Sequence, residues 1–131
     1  MKPQNWATLL LQSIETRRVL PFEWGTNDCA KFVHNVRQDV TGEDRLNGLS
    51  WSTAREAAEL LAEKDIVARA DEWFGEQIHP NYATMGDIVA VDIDGRTSLA
   101  ICIGTEAIGA GEFQAVKVPM AFATNAWRLG D

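Results

Sequence analysis

The most constraining feature of this 131-residue sequence is a predicted β-hairpin whose second strand contains an unbroken apolar run. β-Branched residues from Ile88 to Ile93 predict the first strand, and Asp94-Gly95 is a strong signal for a two-residue turn. Thr97 to Ile103 then returns as the second strand. Because Leu99 to Ile103 is apolar at every position, we expect this strand to be covered on both faces and to lie centrally in its sheet.

The first half of the chain supplies helices that can cover such a sheet. Apolar residues recur there at spacings of three and four, which is typical of helices with one buried face. Segment 66–74 is ambiguous between a short strand and a helix, and its spacing favours a helix. The predicted helices are Trp6 to Arg18, Cys29 to just before Thr41-Gly42, a helix beginning at Ser52 or Thr53, and Ile66 to Phe74. At the start of the third helix, Thr53-x-x-Glu56 has the form of a capping box.

The second half of the chain has the texture of β-structure, after a predicted loop at 75–84. Beyond the hairpin, short strands are predicted at Ala107-Ile108, Gln114 to Val118 and Ala126 to Leu129. Helices come first and strands second, which indicates an α+β domain with N-terminal helices packed on a C-terminal antiparallel sheet. A chain of this length is expected to form one domain over residues 1–131.

The composition excludes several classes of function. The formal net charge is −7, and no run of five or more lysine and arginine residues is present, so nucleic acid and anionic membranes are not expected partners. No stretch reaches the roughly 20 apolar residues of a membrane span, and the N-terminus lacks the pattern of a secretory signal. Isolated cysteines and histidines predict no metal site and no cofactor. Cys102, within the apolar run, is expected to be a reduced, buried thiol.

A turn-rich segment from Pro21 to Asp28 delivers Cys29 to the first turn of a predicted helix. Asn27 or Thr26 is expected to cap that helix, with Asp28 beside it. Backbone N–H groups at a helix start favour a thiolate over a thiol. Two interpretations of Cys29 follow, a reactive nucleophile or a core residue on the apolar face of the helix.

A nucleophilic cysteine needs an imidazole to accept its proton, and the sequence contains two histidines. His34 follows Cys29 by five residues on the same helix, so it points away from the sulfur and is expected at the surface or partly packed. His79 precedes a proline in a loop. It is either a solvent-exposed loop residue or the base that the loop brings to Cys29.

Three segments together resemble the NlpC-type (papain-like) cell-wall cysteine peptidases, over about Pro21 to Gly109. The first resembles the nucleophile motif of that family and the other two resemble its Gly-Asp-Leu-Val and His-Val-Gly-Ile-Tyr-Leu-Gly strands. They are Phe22-x-Trp24-Gly25-x-x-Asp28-Cys29-Ala30-x-Phe32-Val33, Gly86-Asp87-Ile88-Val89, and Ser98-Leu99-Ala100-Ile101-Cys102-Ile103-Gly104. The whole chain, including Ala126-Trp127-Arg128, is similar to a family of phage and prophage proteins related to the NlpC type and encoded among tail-tip genes.

The resemblance implies a papain-like NlpC-type fold with Cys29 at the nucleophile position. It places Ser98 where the catalytic histidine stands and Gly109 approximately at the third, orienting position. A serine hydroxyl is not a general base for a thiol and glycine has no side chain, so the catalytic site is expected to be degenerate. Trp24 either forms a wall of a binding groove or covers the helix end, and Asp28 is either part of the site or a helix cap.

The resemblance also implies a function. We expect a tail-tip (baseplate hub) protein of a phage or prophage that does structural or adaptor work or contacts peptidoglycan. Such a protein is made in the host cytoplasm and located in the virion tail, with tail hub and tip proteins as partners. The alternative is an active cysteine peptidase or amidase that hydrolyses peptidoglycan peptides during phage entry, with Cys29 as nucleophile and His79 or a neighbouring subunit as the source of the base. A third hypothesis is a plain intracellular domain unconnected with tails.

Overall fold

The computed structural model describes residues 2–130, in which four α-helices precede all six strands of one sheet. The predicted domain bounds, residues 1 and 131, lie outside this range. The helices are α1 (Trp6–Arg17), α2 (Cys29–Thr41), α3 (Ala54–Glu63) and α4 (Ile66–Phe74). The strands are β1 (Gln77–Ile78), β2 (Ile88–Ile93), β3 (Arg96–Cys102), β4 (Glu106–Gly109), β5 (Val116–Pro119) and β6 (Ala123–Trp127).

The sheet has the strand order β1-β6-β2-β3-β4-β5, and every neighbouring pair is antiparallel. The predicted hairpin joins β2 to β3 with Ile93 opposite Arg96. Asp94 and Gly95 both have positive φ angles, of 52° and 79°, as a two-residue turn matching the twist of the strands requires. The predicted α+β class and the antiparallel sheet are confirmed.

The apolar run of β3 is covered on both sides, as predicted. Leu99 and Ile101 pack with α2, whose Phe32 and Val33 are completely buried. Ala100 and Cys102 pack into a second cluster on the opposite face of the sheet. Alternation along the strand thus divides its side chains between two cores.

Two other strands lie slightly off their predicted positions, and the loop at 75–84 contains more structure than expected. Strand β6 begins at Ala123 and ends at Trp127, two residues before the buried Leu129. Strand β5 begins at Val116. The loop includes the two residues of β1, which pair with β6, and a 3₁₀ turn at Pro80–Tyr82. A strand this short has too few residues to show an alternating pattern.

Two of the helix ends agree with the prediction from local sequence, and the N-terminal cap of α2 does not. Thr53 caps α3 by accepting a hydrogen bond from the Glu56 backbone N–H, as the capping-box pattern predicts. Gly42 ends α2 in the left-handed conformation. The cap of α2 is Asp28, which corrects the prediction of Asn27 or Thr26, because the Asn27 side chain instead donates to the Pro21 carbonyl oxygen.

No helix within residues 2–130 is long and apolar enough to cross a membrane. Both cysteines are free thiols, and Cys102 is completely buried.

Candidate functional site

Cys29 is the first residue of α2 and lies in the wall of an apolar groove that is open to solvent. The groove runs between the start of α2, the segment 49–51, α3 and α4. Its lining residues are Trp24, Asp28, Cys29, Ala30, Leu49, Trp51, Ala57, Leu60, Leu61, Ile66, Arg69 and Trp73.

Asp28 fastens three segments around this groove. Its carboxylate is buried, with 2% of the residue exposed, and accepts three hydrogen bonds. The donors are the Lys31 backbone N–H at 2.9 Å, the Gly25 backbone N–H at 2.8 Å and the Trp51 indole N–H at 2.5 Å. Each N–H stabilises the buried charge, so Asp28 is both the cap of α2 and the anchor of the groove wall.

The turn before Asp28 packs closely against the backbone of Trp51 in the groove wall. Gly25 has a φ angle of +78°, and a Cβ atom built on it would lie 2.1 Å from the Trp51 carbonyl oxygen. Only glycine can combine this backbone conformation with so close an approach. The adjacent Trp24 ring packs edge-on against Phe22 at 4.8 Å and borders the groove, with 39% of the residue exposed. Trp24 thus lies where a wall of the groove requires it, and its role in binding stays a prediction.

Burial raises the pKa of the Cys29 thiol above its usual range. The backbone N–H groups of Leu99 and Ala30 favour the thiolate, but the negative charge of Asp28 adds to the effect of burial, and the net direction is upward. The N–H groups at the helix start thus favour the thiolate, as expected, but burial has the larger effect on the pKa of Cys29. Dipole and N–H effects are overcome because the sulfur is desolvated beside a carboxylate.

The positions that the resemblance assigns to the base and its orienting residue, Ser98 and Gly109, both adjoin Leu99. Ser98 immediately precedes Leu99, whose backbone N–H interacts with Cys29, and it is partly exposed on β3. Gly109 ends the neighbouring strand, where a Cβ atom would lie 3.1 Å from the Leu99 carbonyl oxygen. Cys29 and Gly109 thus each lie near the backbone of Leu99, next to Ser98 in β3, and neither Ser98 nor Gly109 provides an imidazole or a carboxylate.

Neither histidine reaches the groove. His34 is buried, with 6% exposed, and packs against the rings of Trp73 and Phe74 at centroid distances of 4.6 and 5.1 Å. It is thus more deeply packed than predicted, because α4 covers this part of α2. His79 is exposed, and its Nδ1 accepts a hydrogen bond from the Asn81 backbone N–H in the 3₁₀ turn that contacts β6. Among residues 2–130, no other imidazole exists to act on Cys29.

Sequence reasoning did not assign Trp51 and Arg69 to the site. Trp51 lies 23 residues from its partner Asp28, and no periodicity connects the two. Arg69 donates from Nη2 to the Leu60 carbonyl oxygen at 2.8 Å and pairs with Glu63 at 3.5 Å. No group of three or more potential metal ligands occurs within the described part of the chain.

Comparisons with known proteins agree with this description of the fold. A family model described as "Domain of unknown function (DUF6950)" matches residues 1–129. No curated protein matches the sequence.

Two solved structures have similar folds. RipD from Mycobacterium tuberculosis superposes with a TM-score of 0.55 at 15% identity, over 96% of this chain and 98% of RipD. It is described as a non-catalytic NlpC/p60 domain protein, with an adaptation to peptidoglycan-binding function. The P60 domain of antigen MAP1272c from M. avium paratuberculosis superposes with a TM-score of 0.50 at 18% identity, over 95% of this chain and 93% of that domain. These similarities confirm the predicted NlpC-like fold.

Proposed function

Because the chain belongs to the DUF6950 family and has the NlpC/p60 fold, we propose that it is a non-catalytic NlpC-type binding domain of a phage or prophage tail tip. It binds through the groove beside Cys29 and does adaptor work in the tail or contacts peptidoglycan there.

The observation that carries this proposal is that, within residues 2–130, no imidazole lines the groove that holds Cys29. Both histidines lie elsewhere, and Ser98 occupies the position that the family resemblance assigns to the base. The pKa of the thiol is raised, so the nucleophilic thiolate is scarce near neutral pH. Loss of a general base alone typically removes a factor of about 10²–10⁴ from proton-transfer catalysis.

The tail-tip location rests on the resemblance of the whole chain to tail-associated phage proteins. RipD supports the non-catalytic part of the proposal, since it shares this fold and is described as adapted to peptidoglycan binding. The proposed partners are accordingly tail hub and tip proteins, with peptidoglycan as the surface on which the tail acts.

Hydrolysis of peptidoglycan peptides remains the second candidate function. It is favoured by one observation, that Cys29 faces the groove beside the N–H groups of Leu99 and Ala30. Two such donors are the elements from which an oxyanion hole is built. In this case a neighbouring subunit has to supply the base.

The two candidates are separated by incubating the protein with purified cell walls and following turbidity and peptide release. We expect neither to change, for the wild type and for Cys29→Ala alike, while the protein is found in purified tails by peptide mass spectrometry. Turbidity loss that disappears in Cys29→Ala overturns the non-catalytic assignment. Absence of the protein from intact tails overturns the tail-tip location.

A further inference from the structure

We propose that Lys31 and Arg96 pair with carboxylates of the ligand that binds in the groove beside Cys29, and that this ligand is a stem peptide of peptidoglycan. The inference rests on the proposed function and specifies which groups of the ligand the site recognises. Three observations support it: the ion pairs of the chain, the positions of these two side chains, and the charge of the groove lining.

Most cations of the chain already have an anionic partner. The sequence contains 12 lysines and arginines, and within residues 2–130 all but four of them pair with a carboxylate. The paired cations are Arg17, Arg18, Arg37, Arg45, Arg55, Lys64, Arg69 and Arg128. The other four are Lys2, which lies over the ring of Trp6, and Lys31, Arg96 and Lys117. A cation without an internal anion is available to an anionic ligand.

Lys31 adjoins the groove through a smaller pocket. The residues that line this pocket are Gly25, Lys31, Leu49, Ser50 and Trp51. Leu49 and Trp51 also line the groove, so the two depressions share a wall. The pocket lining includes an ammonium side chain and a hydroxyl side chain, and both groups can donate hydrogen bonds to a carboxylate.

Arg96 approaches the same region from the sheet. It is the first residue of β3, and the backbone N–H of Leu99, three residues further along the strand, interacts with Cys29. Burial raises the pKa of the Cys29 thiol, and the positive charge of Arg96 opposes this rise, so the guanidinium lies near enough to act on the sulfur. Because Arg96 is exposed, a ligand in the groove can reach it.

The groove lining offers no unpartnered negative charge. Among the described residues that line it, Asp28 is the one anion, and it already accepts three hydrogen bonds. The one cation, Arg69, donates to the Leu60 carbonyl oxygen and pairs with Glu63, while its buried Nε has no acceptor. A carboxylate beside this lining therefore gains from positive charge. Stem peptides carry free carboxylates beside the methyl groups of alanine, which suit an apolar lining.

The test is an NMR titration of the isotope-labelled full chain with a soluble stem peptide whose carboxylates are free. We expect the amide resonances around Lys31 and Arg96, and the indole N–H resonances of Trp24 and Trp51, to shift as the peptide binds. The same peptide with its carboxylates amidated should bind about tenfold more weakly. A higher salt concentration should weaken binding of the free form.

Three variants assign the effect to particular side chains. Lys31→Gln and Arg96→Gln each remove one cation beside the groove. Lys117→Gln removes another unpaired cation, on β5, which lines neither depression. We expect each of the first two to weaken binding about threefold to fivefold, and the two together about tenfold or more, whereas Lys117→Gln leaves it unchanged. The amide spectra of the free variants confirm that they are folded.

Three results overturn the inference: no binding of the free peptide, equal affinity for the free and amidated peptides, or equal affinity of all three variants. Each leaves the proposed function standing, because cell-wall hydrolysis and tail localisation are measured separately and adaptor work requires no wall ligand. Conversely, turbidity loss dependent on Cys29 overturns the non-catalytic assignment, while the dependence of peptide binding on Lys31 and Arg96 is measured independently of it.

Discussion

The energetic role of Asp28 can be tested by removing its carboxylate. Asp28→Ala deletes the cap of α2 and leaves the N–H groups of Gly25 and Trp51 without their acceptor. Loss of a cap costs about 1 kcal/mol, and each unsatisfied buried donor costs about 1–3 kcal/mol. We therefore expect the free energy of unfolding to fall by roughly 3–7 kcal/mol, which for a chain of this size lowers Tm by roughly 10 °C or more.

Asp65 provides a matched control for this prediction. It caps α4 in the same manner, by accepting a hydrogen bond from the Ala68 backbone N–H at 2.8 Å, but it is exposed and has no indole partner. Asp65→Ala should therefore cost only the capping contribution, about 1 kcal/mol. Urea denaturation followed by tryptophan fluorescence measures both variants.

A double-mutant cycle covers the case in which Asp28→Ala is largely unfolded. Asp28→Asn and Trp51→Phe, alone and together, should show a coupling free energy of about 1 kcal/mol or more, because the two side chains share a hydrogen bond. The reasoning is refuted if Asp28→Ala costs no more than Asp65→Ala, or if the two substitutions in the cycle are additive.

Three further predictions concern other groups near the site. Iodoacetamide labelling of Cys29 should rise only at or above the free-thiol pKa of about 8.5, and a plateau below pH 7 in a mass-spectrometric assay contradicts the burial argument. Burial lowers the pKa of His34 to about 4, so the unfolded state binds its proton first as the pH falls from about 6.5 to 4. Stability should decrease by up to about 3 kcal/mol across that window, and His34→Phe should flatten this slope in urea titrations at each pH. Gly25→Ala should destabilise more than Gly42→Ala, since both have positive φ angles but only the former meets the Trp51 carbonyl oxygen; equal changes in Tm refute this explanation.

The fold could be predicted from the sequence because its signals are local and periodic. The hairpin at 94–95, the apolar run in β3 and the capping box at Thr53 each depend on residues close together in the chain. Segment 66–74 also became a helix, as its spacing favours. By contrast, β1 forms by pairing with β6, about 50 residues further along the chain, and no local sequence pattern predicts it.

The environment of the site was harder to predict, because it depends on contacts between distant segments. Thr26, Asn27 and Asp28 are all residue types that cap helices, and the choice of Asp28 coincides with the hydrogen bond from Trp51. His34 was expected at or near the surface, but it is buried against Trp73. That contact depends on how α4 packs on α2, which no local sequence pattern predicts. The net rise in the pKa of Cys29 could not be predicted for the same reason, since burial of the sulfur is a tertiary property.

The groove and the chemistry expected of its family depend on different residues. The groove is shaped by Asp28, Gly25 and Trp51. These residues are joined by hydrogen bonds and close packing at the N-terminal end of α2. The positions that the resemblance assigns to proton transfer, Ser98 and Gly109, lie on strands of the sheet. Replacing a base at the second set leaves the first set undisturbed, so an NlpC-type domain can lose its catalytic imidazole and keep a formed groove. A neutral thiol in an apolar wall is compatible with binding, and its presence does not by itself require hydrolysis.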